Sequence, residues 1–142
     1  MELPASVTLS DRVRQFLQRP LYPVLGTSGE DGEPHQAVIW FRLEPDDRIL
    51  VNSRDPRRWP ADLRRDGRAS FAFTDPADPF NWVGVQAIVE DVIDDVATAR
   101  DDIISLAERY DEADDHSIAT FRSQQRVSFR LRIVAVHDHL ED

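Results

Sequence analysis

The sequence predicts a mainly β protein: a small antiparallel barrel, closed or nearly closed, with flanking α-helices. Three observations carry this. Apolar residues alternate with period two in several short segments along the chain. Short turns rich in Asp, Gly and Pro join these segments, as antiparallel hairpins require. Helical period is confined to a segment before the first strand, a short piece mid-chain and one long segment before the last strand. At 142 residues the chain reads as one domain, residues 1–142, large enough for its own core.

Each element has its own signal. Residues 10–19 read as a helix, with Ser10 as N-cap, Asp11 in the first turn, and Val13, Phe16 and Leu17 on one face. Pro20 ends it. Residues 21–27 form a short strand whose Pro23 suits a sheet edge. S-G-E-D-G-E-P follows as a turn, with Asp31-Gly32 the hairpin signal. Residues 35–43 read as one strand, with Ala37, Ile39, Phe41 and Leu43 on one face and Val38, Trp40 and Arg42 on the other. After an E-P-D-D-R turn, residues 49–53 are a third strand. A short helix over 61–66 precedes a fourth strand, 68–74, in which Ala69, Phe71 and Phe73 alternate. D-P-A-D-P-F-N reads as a loop. Residues 82–91 form a fifth strand with Val83, Val85, Ala87 and Val89 inward. Residues 96–110 have helical period, with a stripe of Val96, Ala99, Ile103, Leu106 and Tyr110. Residues 111–115 read as a solvated acidic loop and 117–122 as one helical turn. Residues 126–137 close the chain as a strand with Val127, Phe129, Leu131, Ile133 and Ala135 on one face. About six strands are expected in all.

Composition excludes several chemistries. All 17 basic residues are Arg. Without Lys there is no Schiff base, and the Gly-rich G-T-S-G-E-D-G of residues 26–32 cannot be a Walker A loop. The five glycines never fall in G-x-G-x-x-G order, which removes the dinucleotide fingerprint. A net charge of −10 argues against nucleic acid. The longest apolar runs fall far short of a membrane helix. No secretion signal is apparent, so the expected location is the cytoplasm. With no Cys there are no disulfides or thiolate ligands.

One stretch stands against this acidic background. From Arg54 to Arg68 there are six Arg and three Asp, a net charge of +3. This island lies between two strands, beside Pro56 and Pro60 and a short helix. Guanidiniums beside backbone N–H groups are ordinary phosphate-binding chemistry; the alternative is a solvated basic loop.

Four segments, taken together, resemble the split-barrel flavin-binding proteins related to pyridoxamine 5′-phosphate oxidase, and most of all the branch that uses the deazaflavin coenzyme F420. They are D-G-E-P-H-Q-A-V-I-W-F (31–41), L-V-N-S-R-D-P-R-R-W-P-A-D-L-R-R-D-G-R-A-S (50–70), D-P-A-D-P-F-N-W-V-G-V-Q-A (75–87) and R-V-S-F-R-L-R-I (126–133). The resemblance spans roughly residues 21–133. It implies an antiparallel split β-barrel of the FMN-binding type and a homodimer with a cofactor groove between its chains. By the same resemblance His35, Gln36, Ala37 and Val38 line the cofactor ring, and Asn52, Ser53, Arg57 and Arg58 reach its phosphate end. Trp40 and Trp82 are the expected substrate-side aromatics.

Two positions depart from the family pattern. Trp59 stands where Lys is usual, so one phosphate contact is absent and Arg58 is the expected substitute. Ala87 stands where Gly is usual. The implied function is an F420H2-dependent reductase that passes a hydride to a small unsaturated acceptor. The alternatives are an FMN-dependent oxidoreductase or oxidase, and a non-enzymatic flavin- or anion-binding protein. No catalytic residue is assigned, because the cofactor carries the chemistry. No metal ligand set is assigned either: His137 and His139 share a strand face but fall in the C-terminal tail.

Overall fold

The computed structural model describes residue 5 and residues 7–141. Its elements, in order, are α1 (Asp11–Leu17), β1 (Val24–Ser28), β2 (Pro34–Val38), β3 (Arg42–Leu43), β4 (Ile49–Arg54), α2 (Arg58–Arg65), β5 (Arg68–Asp75), β6 (Asp78–Ile93), α3 (Val96–Arg109), α4 (Asp115–Arg122) and β7 (Arg126–His139). The seven strands make one sheet in the order β2-β1-β5-β6-β7-β4-β3, and every pairing is antiparallel.

That order makes the sheet a barrel. β2 and β3 are its opposite edges, yet only Ile39, Trp40 and Phe41 separate them. So short a link spans at most about 14 Å at 3.3–3.6 Å per residue, so the sheet must curl until its edges nearly meet. The interrupted segment is the split. Two register shifts in the long β6–β7 ladder, at Gln86/Ala87 and Val89/Asp91, supply bending of the kind bulges provide. Phe41, Phe73 and Phe129 are fully buried inside, with Leu25, Ile49, Val51 and Leu131 around them. The rings of Phe41 and Phe73 lie 4.7 Å apart.

Helices seal the barrel. α1 buries Val13, Phe16 and Leu17, and its N-cap Ser10 accepts from the Val13 N–H at 3.3 Å. α3 packs across β7, β4 and β6 through Ala99, Ile103, Ile104, Leu106 and Ala107, with Tyr110 buried just beyond its end. The end of α3 holds the split. Arg109 donates to the carbonyls of Phe41 (2.9 Å) and Arg19 (2.7 Å). The Tyr110 hydroxyl donates to the Leu21 carbonyl and accepts from the Phe41 N–H at 3.2 Å.

Several local expectations are corrected. Residues 35–43 are not one strand: pairing stops at Val38 and resumes at Arg42, because the chain there crosses from one sheet edge to the other. The D-P-A-D-P-F-N segment is mostly strand. Asp75 and Asp78 pair, and their carboxylates accept from the Ala77 and Phe80 N–H groups at 2.9 and 3.1 Å, which suits a tight turn. α2 begins at Arg58 and keeps Pro60 in its first turn, where a missing N–H costs little. The acidic 111–115 stretch is not merely solvated: Asp114 caps α4, accepting from the Ser117 N–H at 2.8 Å. Among the described residues no helix is long and apolar enough to cross a membrane.

Candidate functional site

β4 is buried along its length until Arg54, because barrel lies on one side of it and α3 on the other. Its last turns outward therefore deliver Asn52, Ser53 and then Arg57 to one place. There they meet the strand that leads into the split. The result is a groove of about 440 Å³ lined on one side by Tyr22, Ala37, Val38, Ile39 and Trp40, and on the other by Asn52, Ser53, Arg57 and Trp59. Ile103, Phe121 and Arg126 complete the lining.

The first wall is apolar and aromatic. Trp40 stacks on Tyr110 with ring centres 5.2 Å apart and planes 10° apart, and Tyr22 leans on the same ring at 5.1 Å. The hydrogen bonds of Tyr110 fix that stack. Val38 is 68% exposed and Tyr22 54%, so the wall faces open space.

The other side is cationic. Arg126 starts β7 opposite Arg54 and is only 7% exposed. Its Nε donates to Asn52 Oδ1 at 3.0 Å and its Nη1 to Gln124 Oε1 at 2.6 Å. The Phe121 ring of α4 covers the guanidinium at 5.4 Å. Burial, then the charges of Arg57 and Arg54, pull its pKa down to about 10. Asn52 in turn donates to the Ala99 carbonyl and to Ser128 Oγ, both at 2.8 Å, and the Ser128 hydroxyl donates to Asp102 at 2.8 Å. Asn52 is thus a positioning residue, its amide fully engaged inside the chain.

The arginine island divides in two. Arg64 pairs with Asp94 (2.6 Å) and Asp55 (3.3 Å), Arg65 with Asp62 (2.9 Å) and Arg68 with Asp66 (3.3 Å). Among the described residues, Arg54, Arg57 and Arg58 have no carboxylate within 4.0 Å. Of these only Arg57 lines the groove; Arg58, exposed at the first position of α2, does not.

The remaining expected residues lie elsewhere. His35 and Gln36 line a second, larger groove of about 620 Å³ with Ser70, Gln86 and Ala87. The Ala87 methyl therefore stands clear of the Arg57 groove. His35 Nδ1 lies 2.7 Å from Asp62 Oδ2, which also accepts from the Thr27 hydroxyl at 2.8 Å. Burial pushes the Asp62 carboxyl up, but hydrogen bonds from His35, Arg65 and Thr27 outweigh it and hold the group below the usual carboxylate range. This network pins α2 to β1 and β2. Trp82 stacks on His139 at 4.4 Å, outside both grooves. Trp59, in place of the expected Lys, is 7% exposed and packs against Phe129 at 6.1 Å. Among the described residues no group of three or more His, Asp or Glu is placed to hold a metal ion. Sequence reasoning missed Arg126, Phe121, Ile103 and Tyr22. The only trace of Arg126 was its place on the polar face of an otherwise apolar strand.

Comparison with known proteins fits this architecture. A structure described as an F420 reductase superposes with a TM-score of 0.80 at 23% identity, over 91% of this chain and 98% of the other. A conserved hypothetical protein from Mycobacterium tuberculosis superposes at 0.69 and 23%, over 98% and 91%. A heme storage protein from Vibrio cholerae does so at 0.69 and 18%, over 93% and 95%. These likenesses establish the split-barrel fold. A comparison with curated proteins gives no match. The profile of the family described as pyridoxamine 5′-phosphate oxidase matches residues 9–139, nearly the whole chain, and the chain belongs to that family.

Proposed function

We propose that this protein is a flavin- or deazaflavin-dependent oxidoreductase, and specifically an F420H2-dependent reductase acting on a small unsaturated acceptor. The observation that carries the reading is the convergence of the aromatic wall at Ala37–Trp40 with the cationic end at Ser53 and Arg57 in one groove. A flat ring with a phosphate-bearing tail matches both ends of that groove. The F420 reductase of the same fold favours the deazaflavin over FMN.

When bound, the reduced deazaflavin supplies the hydride. The chain's own residues bind and orient. Ala37 and Val38 give the ring an apolar seat, and Trp40, held by Tyr110, keeps water from one side of it. Arg57 and Ser53 hold the anionic tail. The groove lining includes no carboxylate and no histidine, so the proton that completes reduction of the acceptor is assigned to solvent. The open rim at Tyr22 and Val38 suits a second copy of the chain, which makes the working unit a homodimer.

Titration of the purified protein with F420 and with FMN, followed by cofactor fluorescence, tests the assignment. Tight uptake of F420, with hydride transfer from its reduced form to an activated alkene, is the expected result. Uptake of FMN alone moves the protein to the flavin branch. Uptake of neither removes the oxidoreductase reading.

A further inference from the structure

We infer that α4 is a hinged cover over one end of the groove, latched by the Phe121 ring on Arg126, and that this latch sets how long a bound cofactor stays. The inference rests on the groove being a cofactor site, and adds to it the control of release.

The argument begins with a helix that buries nothing. α1, α2 and α3 each bury apolar side chains, whereas the eight residues of α4 bury none. So short a helix is not stable in water alone, and contact with the rest of the protein has to hold it. Those contacts are sparse. The side-chain hydrogen bonds of α4 turn in on the helix itself. Asp114 accepts from the Ser117 N–H and hydroxyl at 2.8 and 3.1 Å, and the Thr120 hydroxyl donates to the His116 carbonyl at 3.0 Å. Among the described residues none joins its side chains to α3 or to the barrel. Its ion pair to α3, Arg122 with Asp101 at 3.6 Å, lies between side chains 56% and 72% exposed, and such pairs contribute little. What remains is Ile118 and Phe121, half-buried and one turn apart. Phe121 lines the groove and covers the Arg126 guanidinium at 5.4 Å. Burial of that cation strengthens the contact.

The two ends of α4 are held unequally. Just after it, the Gln124 carbonyl accepts from Arg100 Nε at 2.9 Å and the Gln125 carbonyl from the Asp55 N–H at 2.8 Å. Gln124 Oε1 also accepts from Arg126 Nη1 at 2.6 Å. Just before it, the Glu112 N–H still bonds to the Ala107 carbonyl of α3 at 2.8 Å. Asp114, among the described residues, hydrogen-bonds only into α4. The helix can therefore pivot about its fixed end at Ser123 and Gln124, while its start swings on the link through Ala113 and Asp114. An outward swing breaks little beyond the Phe121 and Ile118 contacts. A ligand in the groove gives the Phe121 ring further surface to close on, and so favours the covered position.

Hydrogen exchange of the unmodified protein is the first test. Without cofactor, the α4 amides should exchange at least about tenfold faster than those of α3, whose inner face is buried. Saturating F420 or FMN, whichever binds, should slow α4 about tenfold and leave α3 within about twofold. In stopped-flow mixing, Phe121→Ala should speed cofactor release on the order of tenfold and leave the association rate within about threefold. Phe121→Tyr, which keeps a ring over Arg126, should release at close to the wild-type rate.

If the α4 amides exchange as slowly as those of α3 without cofactor, the cover is overturned whether or not any cofactor binds. If a cofactor binds without slowing α4, or leaves Phe121→Ala at the wild-type rate, the cover is wrong and the proposed function stands. If neither cofactor binds, the proposed function falls. The latched helix then stands where Phe121→Ala alone speeds α4 exchange, and falls where it does not.

Discussion

At the scale of single residues, Arg57 and Arg64 make the sharpest contrast. Both belong to one cationic stretch, yet Arg57 lines the groove without an acid beside it and Arg64 is spent on Asp94 and Asp55. A charged hydrogen bond contributes on the order of 1.5–3 kcal/mol. Arg57→Ala is therefore expected to weaken binding of a phosphate-bearing cofactor roughly ten- to a hundredfold. Arg58→Ala and Arg64→Ala should change it little. Fluorescence titration of the three variants decides this, and equal losses in all three would mean that only overall charge matters. Arg57 was legible in the sequence because its neighbours announce it: six arginines in fifteen residues stand out. Arg126 was not, because its meaning depends on Asn52, 74 residues away. His35 lines the second groove rather than the Arg57 groove for a related reason. Its position on the cofactor strand is local, but its bond to Asp62 draws the ring toward α2 and the second groove.

Elements carry the next level of argument, and α2 shows it best. This helix buries Trp59 and Leu63 in the core; Asp62 also ties it to Thr27 and His35, and so helps fix where Arg57 sits at its start. The Asp62 carboxyl titrates lower in the folded chain than in the unfolded one. Its contribution to stability is therefore complete above the unfolded value of about 3.9 and is lost as pH falls through the lower folded value. Asp62→Asn should cost about 1–3 kcal/mol at pH 7, as buried donors lose an ionised acceptor. The gap between variant and wild type should begin to narrow below roughly pH 4 and shrink further as pH falls through the lower folded value. Urea midpoints followed from pH 7 down into the acid range measure this, and a gap that does not narrow on acidification would show that packing, not charge, is at stake. α3 offers a parallel case at the split. Tyr110→Phe removes the partner of the buried Phe41 N–H and Leu21 carbonyl but keeps the ring under Trp40. A loss of about 1–3 kcal/mol is expected, with a change in tryptophan emission as the stack loosens. The stripe that seats α3 could be read from its period, because burial of one helix face imposes it. The break of the strand at Ile39–Phe41 could not: alternation continues through all three residues, and only the sheet order reveals that they cross between edges.

For the whole molecule, the question is what covers the groove. β2 is an edge strand whose Val38 is 68% exposed, beside Tyr22 at 54%; an apolar edge of this kind is a liability unless a partner occupies it. The chain carries a net charge of −10, so two copies repel at a distance and must be held by apolar contact. A homodimer joined here should give a light-scattering mass of about twice 16.3 kDa at micromolar concentration. It should tighten rather than dissociate as salt screens the repulsion. Val38→Asp places a charge in that contact and should shift the protein toward single chains. If the second copy also closes the groove, the same substitution should weaken cofactor binding in step with dissociation, although Arg57 and Arg126 are untouched. Measuring mass and affinity across one protein dilution series separates the two effects. Tight binding by a protein with the mass of one chain would mean that each chain holds its cofactor alone, and that Tyr22 and Val38 face solvent for some other reason.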